Sequence, residues 1–339
     1  MIERTQSQAV QSIEEMPKVE LHLHLEGCIP LALIEQLSKE QDVSPPKPLA
    51  QLYRVRSLSE FLQTLDWVCG LFTQPQQLNA LAHTFADYAE QQNLTYAELI
   101  VNPSHWHLDY ADLFEPLTQA FDDIQQTRGL DFRLLPSIGR HQSAPQAEAL
   151  ASWCTTFAHP RVIGLSIDGD ERVSGSHCER FAGAFQHAGA HGLGLTAHAG
   201  ESSDAQGVFD ALDILGAQRI DHGVKSVQSA ELIQRLVEQS ITLNVCVSSN
   251  CALVYDKVSD HPLPALRQAG VGCTLNTDDP VVLDTDLCRE LAFVGRSFGW
   301  GLTDLVAMQQ QAIDAAFCDA QTKRGLTRKL HNFVGKENE

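Results

Sequence analysis

Short apolar runs alternate with longer segments of helical periodicity along most of this chain. Eight runs have the length and the apolar character of strands buried in a parallel sheet. They are Val19–His24, Tyr96–Asn102, Asp131–Gly139, Val162–Gly169, Leu193–Gly200, Arg219–Gly223, Ile241–Ser249 and Gly272–Asp279. Between them, segments such as Ala205–Leu215 and Ala230–Glu238 carry apolar residues at helical spacing. Eight strands that alternate with helices predict an α/β fold, a closed parallel (β/α)8 TIM barrel.

One connection departs from the regular alternation of strand and helix. The stretch from Pro30 to Gln92 is too long for a single helix, and Ser59–Leu71 has a helical pattern of its own. We therefore expect extra helices inserted after strand one, within a single domain that spans residues 1–339. An insertion at that position predicts a lid above the mouth of the barrel.

The composition narrows the class of partner. The chain has 339 residues, with 24 Lys and Arg against 43 Asp and Glu, a formal charge of -19. Such an excess argues against binding to nucleic acid or to anionic membranes, but it allows any small substrate. No apolar run is long enough to span a membrane. Nine cysteines without a CxxC pair predict reduced thiols in the cytoplasm. The oligomeric state is left open.

Polar residues interrupt the apolar pattern where five of the predicted strands end. They are His22 and His24, Asp168 to Glu171, His198 and Glu201, Asp221 and His222, and Asp278 and Asp279. Barrel enzymes assemble their sites from the carboxyl ends of several strands. Buried polar groups are costly there unless they bind something or each other. The coincidence predicts one shared functional site.

The residue types at these strand ends suit a metal centre. His22 and His24 are two residues apart on a strand, so both imidazoles face the same side. Together with His198 and Asp278 they form a set of three imidazoles and one carboxylate. That set suits Zn²⁺, and Fe²⁺ or Mn²⁺ fit the same ligands. His105-Trp106-His107 repeats the spacing, but we place it in a loop outside the metal site.

Further titratable groups surround the predicted metal. A bound metal lowers the pKa of water toward about 7 and supplies a nucleophile at neutral pH. Glu201, His222 and Asp279 can then serve as acid, base and orienting carboxylate. The residues thus predict a metal-activated hydrolase that acts on a small molecule.

Each of these residues also has a plain structural interpretation. Glu201 fits a solvated turn, Asp278 and Asp279 fit a helix cap before Pro280, and His222 fits a buried core position. The functional hypothesis depends on all of them falling at one end of one barrel. The chain contains no P-loop, no HExxH, no GxSxG elbow and no Cys-ligated deaminase signature.

Four sequence blocks resemble the metal-dependent adenosine and adenine deaminases of the amidohydrolase superfamily, above all bacterial adenosine deaminases. The blocks are Lys18–Gly27 (KVELHLHLEG), Thr196–Glu201 (TAHAGE), Arg219–Gly223 (RIDHG) and Leu275–Pro280 (LNTDDP). They occur in the order typical of that family, and the resemblance extends from Met16 to Leu330. It implies a (β/α)8 barrel that holds one catalytic zinc ion per chain.

The resemblance also implies a role for each site residue. The implied zinc ligands are His22, His24, His198 and Asp278. Glu201 would lie against purine N1 and protonate it, and His222 would hold and help deprotonate the attacking water. Asp279 would bond that water and purine N7, and the backbone N–H of Gly169 would meet purine N3. His24 and Glu26 would also contact the substrate.

The substrate implied by the resemblance is adenosine, with adenine as the alternative. Adenosine deaminases usually carry Asp where this chain has Glu26, and Ile220-Asp221-His222 is also more similar to adenine deaminases. Gly169-Asp170-Glu171 and Asn276–Asp279 are more similar to adenosine deaminases. The weight of motifs favours conversion of adenosine to inosine and ammonia. Deamination of 6-aminodeoxyfutalosine or of N6-substituted adenines, and an inactive barrel that only binds purine nucleosides, are further alternatives.

Overall fold

The computed structural model describes residues 10–54, 58–174 and 178–337, and its strands form a single sheet. The strands are β1 (Lys18–His24), β2 (Leu94–Val101), β3 (Asp131–Gly139), β4 (Gly164–Asp168), β5 (Gly194–Ala199), β6 (Arg219–His222), β7 (Thr242–Val245) and β8 (Gly272–Leu275). Consecutive strands pair in parallel from β1 to β8. A parallel bridge between Leu23 and Asp278 brings the two ends of the sheet together. The nearly closed barrel confirms the predicted (β/α)8 fold.

The connections between strands are mainly helical. The α-helices are α1 (Leu31–Glu40), α2 (Leu58–Cys69), α3 (Pro75–Gln91), α4 (Tyr110–Arg128), α5 (Ala144–Phe157), α6 (Glu171–Ser174), α7 (Ala182–Ala190), α8 (Ala205–Asp213), α9 (Ala230–Glu238), α10 (Val247–Leu253), α11 (Leu263–Gln268), α12 (Leu287–Phe298), α13 (Leu302–Ala315) and α14 (Ala320–Glu337). Short 3-10 helices span Glu26–Cys28, Leu49–Gln51, Pro103–His105, Glu179–Phe181, Val224–Gln228 and Val258–Asp260. Residues 10–15 are also helical. No helix among the described residues is long and apolar enough to cross a membrane.

Helix α2 is the part of the long first connection that reaches the mouth of the barrel. It packs against the 3-10 helices that follow β1 and β2, whereas α3 packs on β2 and α4 in the outer helical layer. The helix predicted at Ser59–Leu71 therefore exists, with bounds Leu58–Cys69. Helices α1 and α2 precede α3 in this connection, and the extent of the insertion, roughly residues 30–92, stays a prediction.

Strand β7 ends earlier than its apolar pattern predicts. We expected a strand to Ser249, but β7 ends at Val245 and α10 follows almost at once. The Ser248 N–H donates to the carboxylate of Glu290 at 3.0 Å, and the Ser249 hydroxyl donates to Asp278 Oδ2 at 2.7 Å. These bonds link the turn to other elements of the barrel, which a periodicity rule within one segment does not register.

A buried ion pair lies at the start of β6, well away from the carboxyl ends of the strands. Arg219 Nη2 donates to Glu98 Oε2 at 2.6 Å, while the Tyr96 hydroxyl and the Phe317 N–H donate to Glu98 Oε1 at 2.8 and 2.6 Å. Arg219 Nη1 also donates to the carbonyl of Ala315 at 3.1 Å, while Arg219 Nε has no partner among the described residues. A buried ion pair is tolerated where most of its donors and acceptors are bonded in this way. All nine cysteines are free thiols.

Candidate active site

The carboxyl ends of the strands bring the predicted polar residues into one cluster. His22 and His24 come from β1, His198 from β5 and His222 from β6, while Asp278 follows β8. His222 and Asp278 have φ angles of 62° and 66°, a left-handed conformation that non-glycine residues seldom adopt. Backbone strain of this kind persists only where the surroundings enforce it, and it is frequent at functional sites.

The donor atoms of the predicted metal ligands lie at spacings that suit zinc. His24 Nε2 is 3.0 Å from His198 Nε2, and His22 Nε2 is 3.0 Å from Asp278 Oδ1. His24 Nε2 is also 3.4 Å from Asp278 Oδ1. Ligands about 2.0 Å from a tetrahedral zinc ion lie roughly 3.3 Å from one another. The spacing of these donor atoms therefore fits the zinc ion that the residue types predict.

A second grouping of donor atoms exchanges one histidine for another. One donor atom from each of His22, His198, His222 and Asp278 lies within 4.8 Å of the others. His222 Nε2, however, is 3.9 Å from Asp278 Oδ2, farther than His24 is from that carboxylate. Its Nδ1 is 3.2 Å from the amide nitrogen of Asn250. His24 is thus the nearer imidazole to His198 and Asp278, whereas the His222 ring lies closer to the His22 ring, at 4.6 Å between centroids against 5.4 Å for His24.

Two buried carboxylates, those of Asp221 and Asp278, make the cluster electronegative. Asp221 Oδ1 lies 3.4 Å from His22 Nδ1, on the side opposite Asp278, and accepts a hydrogen bond from Asn244 Nδ2 at 2.8 Å. Although burial opposes a charge there, Asp221 and Asp278 raise the pKa of His22 to about 10. A divalent cation bound there would neutralise the same two carboxylates. An Asp behind a ligating His is the usual support that orients such a ring.

Glu201 and His222 form a pair of titratable groups with opposite shifts. Burial raises the pKa of Glu201 to about 8, and the neighbouring Asp278 adds to the effect. Burial lowers the pKa of His222 to about 3. Glu201 Oε1 lies 3.6 Å from His222 Nε2. At neutral pH the site thus presents a protonated carboxylic acid next to a neutral imidazole, the combination that acid–base chemistry requires.

Asp279 occupies a tight position between β8 and the turn after β1. Burial raises its pKa well above the usual range, and the charge of Asp278 raises it further. Its Oδ1 is buried and accepts no hydrogen bond from the described residues. A Cβ on Gly27 would lie 2.0 Å from this Oδ1, so only glycine fits opposite Asp279. Asp279 therefore packs directly against the backbone of Gly27.

One cavity collects these groups under helix α2. Phe61, Leu62 and Leu65 of α2 form an apolar wall, which agrees with the lid expected of the insertion. The polar lining residues are His24, Glu26, His105, Asp168, Gly169, His198, Glu201, His222, Asp278 and Asp279. Every predicted substrate-binding residue therefore lines this cavity. His22 does not line it, but it contacts the lining residue Asp278. Gly169 has a φ of 101°, outside the range of ordinary side-chain-bearing residues.

The end of β2 contributes residues to which the sequence assigns no role in the site. Glu26 Oε1 accepts hydrogen bonds from the Asn102 N–H and the Trp106 indole N–H, both at 2.8 Å. His105 Nδ1 lies 2.6 Å from Asp66 Oδ1 of α2, and the ring lines the cavity. The loop is outside the metal cluster, as expected, yet it shapes the cavity. The sequence held one indication of this contact: consecutive strands of a barrel are neighbours, so the residues after β2 had to lie near those after β1.

Comparisons with known proteins find a matching family and solved structures of the same fold. The model of the family described as Adenosine deaminase matches residues 17–333. A protein named adenine deaminase from Agrobacterium fabrum is 34% identical over 92% of this chain and 97% of its own length. The structure of adenine deaminase from Arthrobacter aurescens has a TM-score of 0.88 at 24% identity, covering 94% of this chain and 99% of that chain. A zinc-bound amidohydrolase structure from Burkholderia ambifaria has a TM-score of 0.88 at 26% identity, covering 96% and 94%.

Proposed function

The chain belongs to the adenosine deaminase family of the amidohydrolase superfamily, and on that premise we propose that it converts adenine and water to hypoxanthine and ammonia. It is a hydrolase of carbon–nitrogen bonds, and 6-aminopurines are its substrate class. Adenosine, which the weight of sequence motifs favours, becomes the alternative. The relatives named adenine deaminase support adenine as the substrate. The residues that hold the carboxylate of Glu26 support it as well.

The observation that carries this proposal is the fixed carboxylate of Glu26. Glu26 is 1% exposed, and Asn102 and Trp106 hold its Oε1, while its Oε2 is buried without a hydrogen-bond partner among the described residues. A buried carboxyl oxygen without a protein partner gains free energy from a hydrogen bond to a bound ligand. The five-membered ring of free adenine carries an N–H, whereas N9 of adenosine carries the ribose. Adenosine offers donors as well, the hydroxyl groups of its ribose, but these lie farther from the ring. Glu26 is one methylene longer than the Asp usual in adenosine deaminases, and its longer reach fits the smaller free base.

The metal ligands we propose are His22, His24, His198 and Asp278, with one zinc ion per chain. Three imidazoles and one carboxylate are ligands that zinc prefers, and the spacing of their donor atoms supports that set. Zinc bound there would supply a nucleophile by lowering the pKa of a water molecule.

The protein side chains would perform the proton transfers around the purine ring. Attack at C6 pushes negative charge onto N1, and Glu201, protonated at neutral pH, is placed to neutralise that charge. His222, a neutral imidazole, would hold the attacking water and help to deprotonate it. Asp279 would orient the water and bond purine N7, with Gly169 donating its N–H to N3. Ammonia leaves once the 6-amino group is protonated.

The test of the substrate is a comparison of kcat/KM on the zinc-loaded enzyme. Ammonia release is measured with adenine, adenosine, AMP and N6-methyladenine. We expect adenine to exceed adenosine by about 10²-fold or more, because a site that pairs with the N–H at position 9 of adenine loses that bond when position 9 carries a ribose. Glu26→Asp should lower activity on adenine and raise the relative activity on adenosine. Glu115→Asp is the matched control, since it makes the same change at an exposed position of α4 and should leave both activities unchanged. Faster turnover of adenosine would reverse the assignment.

The pH dependence follows from the raised pKa of Glu201. The protonated form is the active acid, and it is lost as the pH rises through about 8. We expect kcat/KM for adenine to be highest below that pH and to fall tenfold per pH unit well above it. The measurement is a profile from pH 6 to pH 9.5 at constant ionic strength, with zinc content checked at each end. A flat profile through pH 9 would contradict the role of Glu201 as a proton donor.

A further inference from the structure

The carboxylate of Glu171 gathers the backbone of the loop that carries Glu201. Glu171 begins α6 just after β4 and is 2% exposed. Its Oε1 accepts hydrogen bonds from the Gly200 N–H at 3.0 Å and the Ser203 hydroxyl at 2.6 Å. Its Oε2 accepts bonds from the N–H groups of Glu201, Ser202 and Ser203 at 3.0, 3.1 and 3.3 Å. We call this set, Glu171 with residues 200–203, the carboxylate clamp.

The clamp acts on the backbone rather than on the substrate. Glu201 Oε1 is 3.6 Å from His222 Nε2, which is longer than a hydrogen bond. The direction of the Glu201 side chain is therefore set chiefly by the backbone from which it projects. That backbone turns from β5 toward α8, and four consecutive N–H groups of the turn point at Glu171.

We propose that Glu171 is a positioning residue for Glu201, which its two oxygen atoms hold at the distance from the purine that proton transfer requires. The inference rests on the proposed deaminase function and adds a residue that does not touch the substrate. Bonds from N–H groups to an ionised carboxylate are stronger than neutral ones, so the clamp restrains the loop firmly. A displacement of about 1 Å of a reacting group can cost about 10²-fold in rate.

The geometry of the clamp depends on both oxygen atoms. A glutamine at position 171 would keep one acceptor and turn an NH₂ group toward backbone N–H donors. Glu171→Gln therefore removes part of the clamp and introduces a donor–donor conflict without a change of size. Ser203→Ala is milder, because it removes only the hydroxyl bond to Oε1.

Gly207 offers an independent way to disturb the clamp. It lies in the first turns of α8, where a Cβ would approach both Glu171 Oε1 and Ser203 Oγ to 2.6 Å. Gly207→Ala leaves every charge in place and improves helix propensity, so a loss of activity would not reflect a weaker helix. It should displace the clamp by steric contact alone.

The experiment combines kinetics with amide exchange on zinc-loaded protein. Wild type, Glu171→Gln and Gly207→Ala are compared for kcat and KM with adenine, for zinc content and for hydrogen exchange of peptides covering 200–203. We expect Glu171→Gln to lower kcat by about 10²-fold with KM changed by less than about threefold. Exchange at 200–203 should accelerate while the rest of the barrel and the zinc content stay unchanged. Gly207→Ala should follow the same pattern with a smaller loss.

Asp204→Asn is the matched control, because Asp204 is an exposed carboxylate in the same loop that accepts the Gln206 N–H. It should retain wild-type kinetics and exchange. A Glu171→Gln variant with kcat within about threefold of wild type would overturn the inference. Loss of zinc together with faster amide exchange throughout the barrel in both variants would also overturn it, since Glu171 would then stabilise the fold and have no specific effect on Glu201. If the wild type released no ammonia from any 6-aminopurine, the proposed function would be refuted, and this inference with it.

Discussion

Replacement of Glu201 by Gln is expected to lower kcat for adenine by about 10²- to 10⁴-fold, the range that a general acid contributes. Gln has the size of Glu and can donate an N–H, but it cannot transfer a proton to purine N1. Since Glu201 is outside the proposed ligand set, the variant should hold one zinc ion and bind hypoxanthine as wild type does. Stopped-time ammonia assays and metal analysis of the same sample measure both effects.

The matched control for this variant is Glu115→Gln, which removes one carboxylate from the exposed face of α4. It should leave kcat, zinc content and product binding unchanged. Near-normal kcat in Glu201→Gln would refute the assigned acid, whatever the pH profile shows. Loss of zinc from Glu201→Gln would mean that the carboxyl supports the metal site instead.

Replacement of His24 by Ala is expected to abolish both zinc retention and turnover, whereas His222→Ala should keep zinc and lose only turnover. The two imidazoles are the alternatives for the fourth ligand, and the contacts of His24 with His198 and Asp278 are the shorter ones. Loss of a ligand removes the source of the nucleophile, so we expect activity below detection in His24→Ala. Loss of His222 removes an acid–base group and should cost about 10²- to 10⁴-fold in kcat.

The measurement is zinc stoichiometry after dialysis, together with kcat before and after addition of excess zinc. Wild type treated with a chelator should lose activity and recover it when zinc returns. Excess zinc should restore part of the activity of His24→Ala only if neighbouring groups can complete the site, and it should not rescue His222→Ala. The opposite result, zinc lost from His222→Ala and retained by His24→Ala, would select the ligand set that contains His222.

Much of the site could be predicted from the sequence because strand periodicity has a simple geometric consequence. His22 and His24 had to share a face of β1, and the carboxyl ends of parallel strands had to meet at one end of a barrel. His198 and Asp278 therefore arrive beside them although 174 and 256 positions separate the contacting pairs. The boundary of β7 was wrong by four residues, since the turn at Ser248 and Ser249 is formed by bonds to other elements.

The surroundings of the catalytic groups could not be predicted in the same way. Glu171 stands in a polar run whose local pattern resembles any helix start, and nothing in that run reveals that four N–H groups of the next strand end converge on it. Glu26 poses the same difficulty, because its partners Asn102 and Trp106 come from another connection. Each contact depends on how two loops pass one another above the barrel.

By itself, the sequence determined the barrel, the order of its strands and the identities of the groups at their ends, because apolar periodicity and strand direction are local properties. Only the tertiary structure decided which histidine lies nearer to His198 and Asp278, which oxygen of Glu26 is left without a partner and which carboxylate holds the Glu201 loop. Those properties are distances between residues far apart in the chain. The packing of connections around a common cavity sets them, and no single segment encodes that packing.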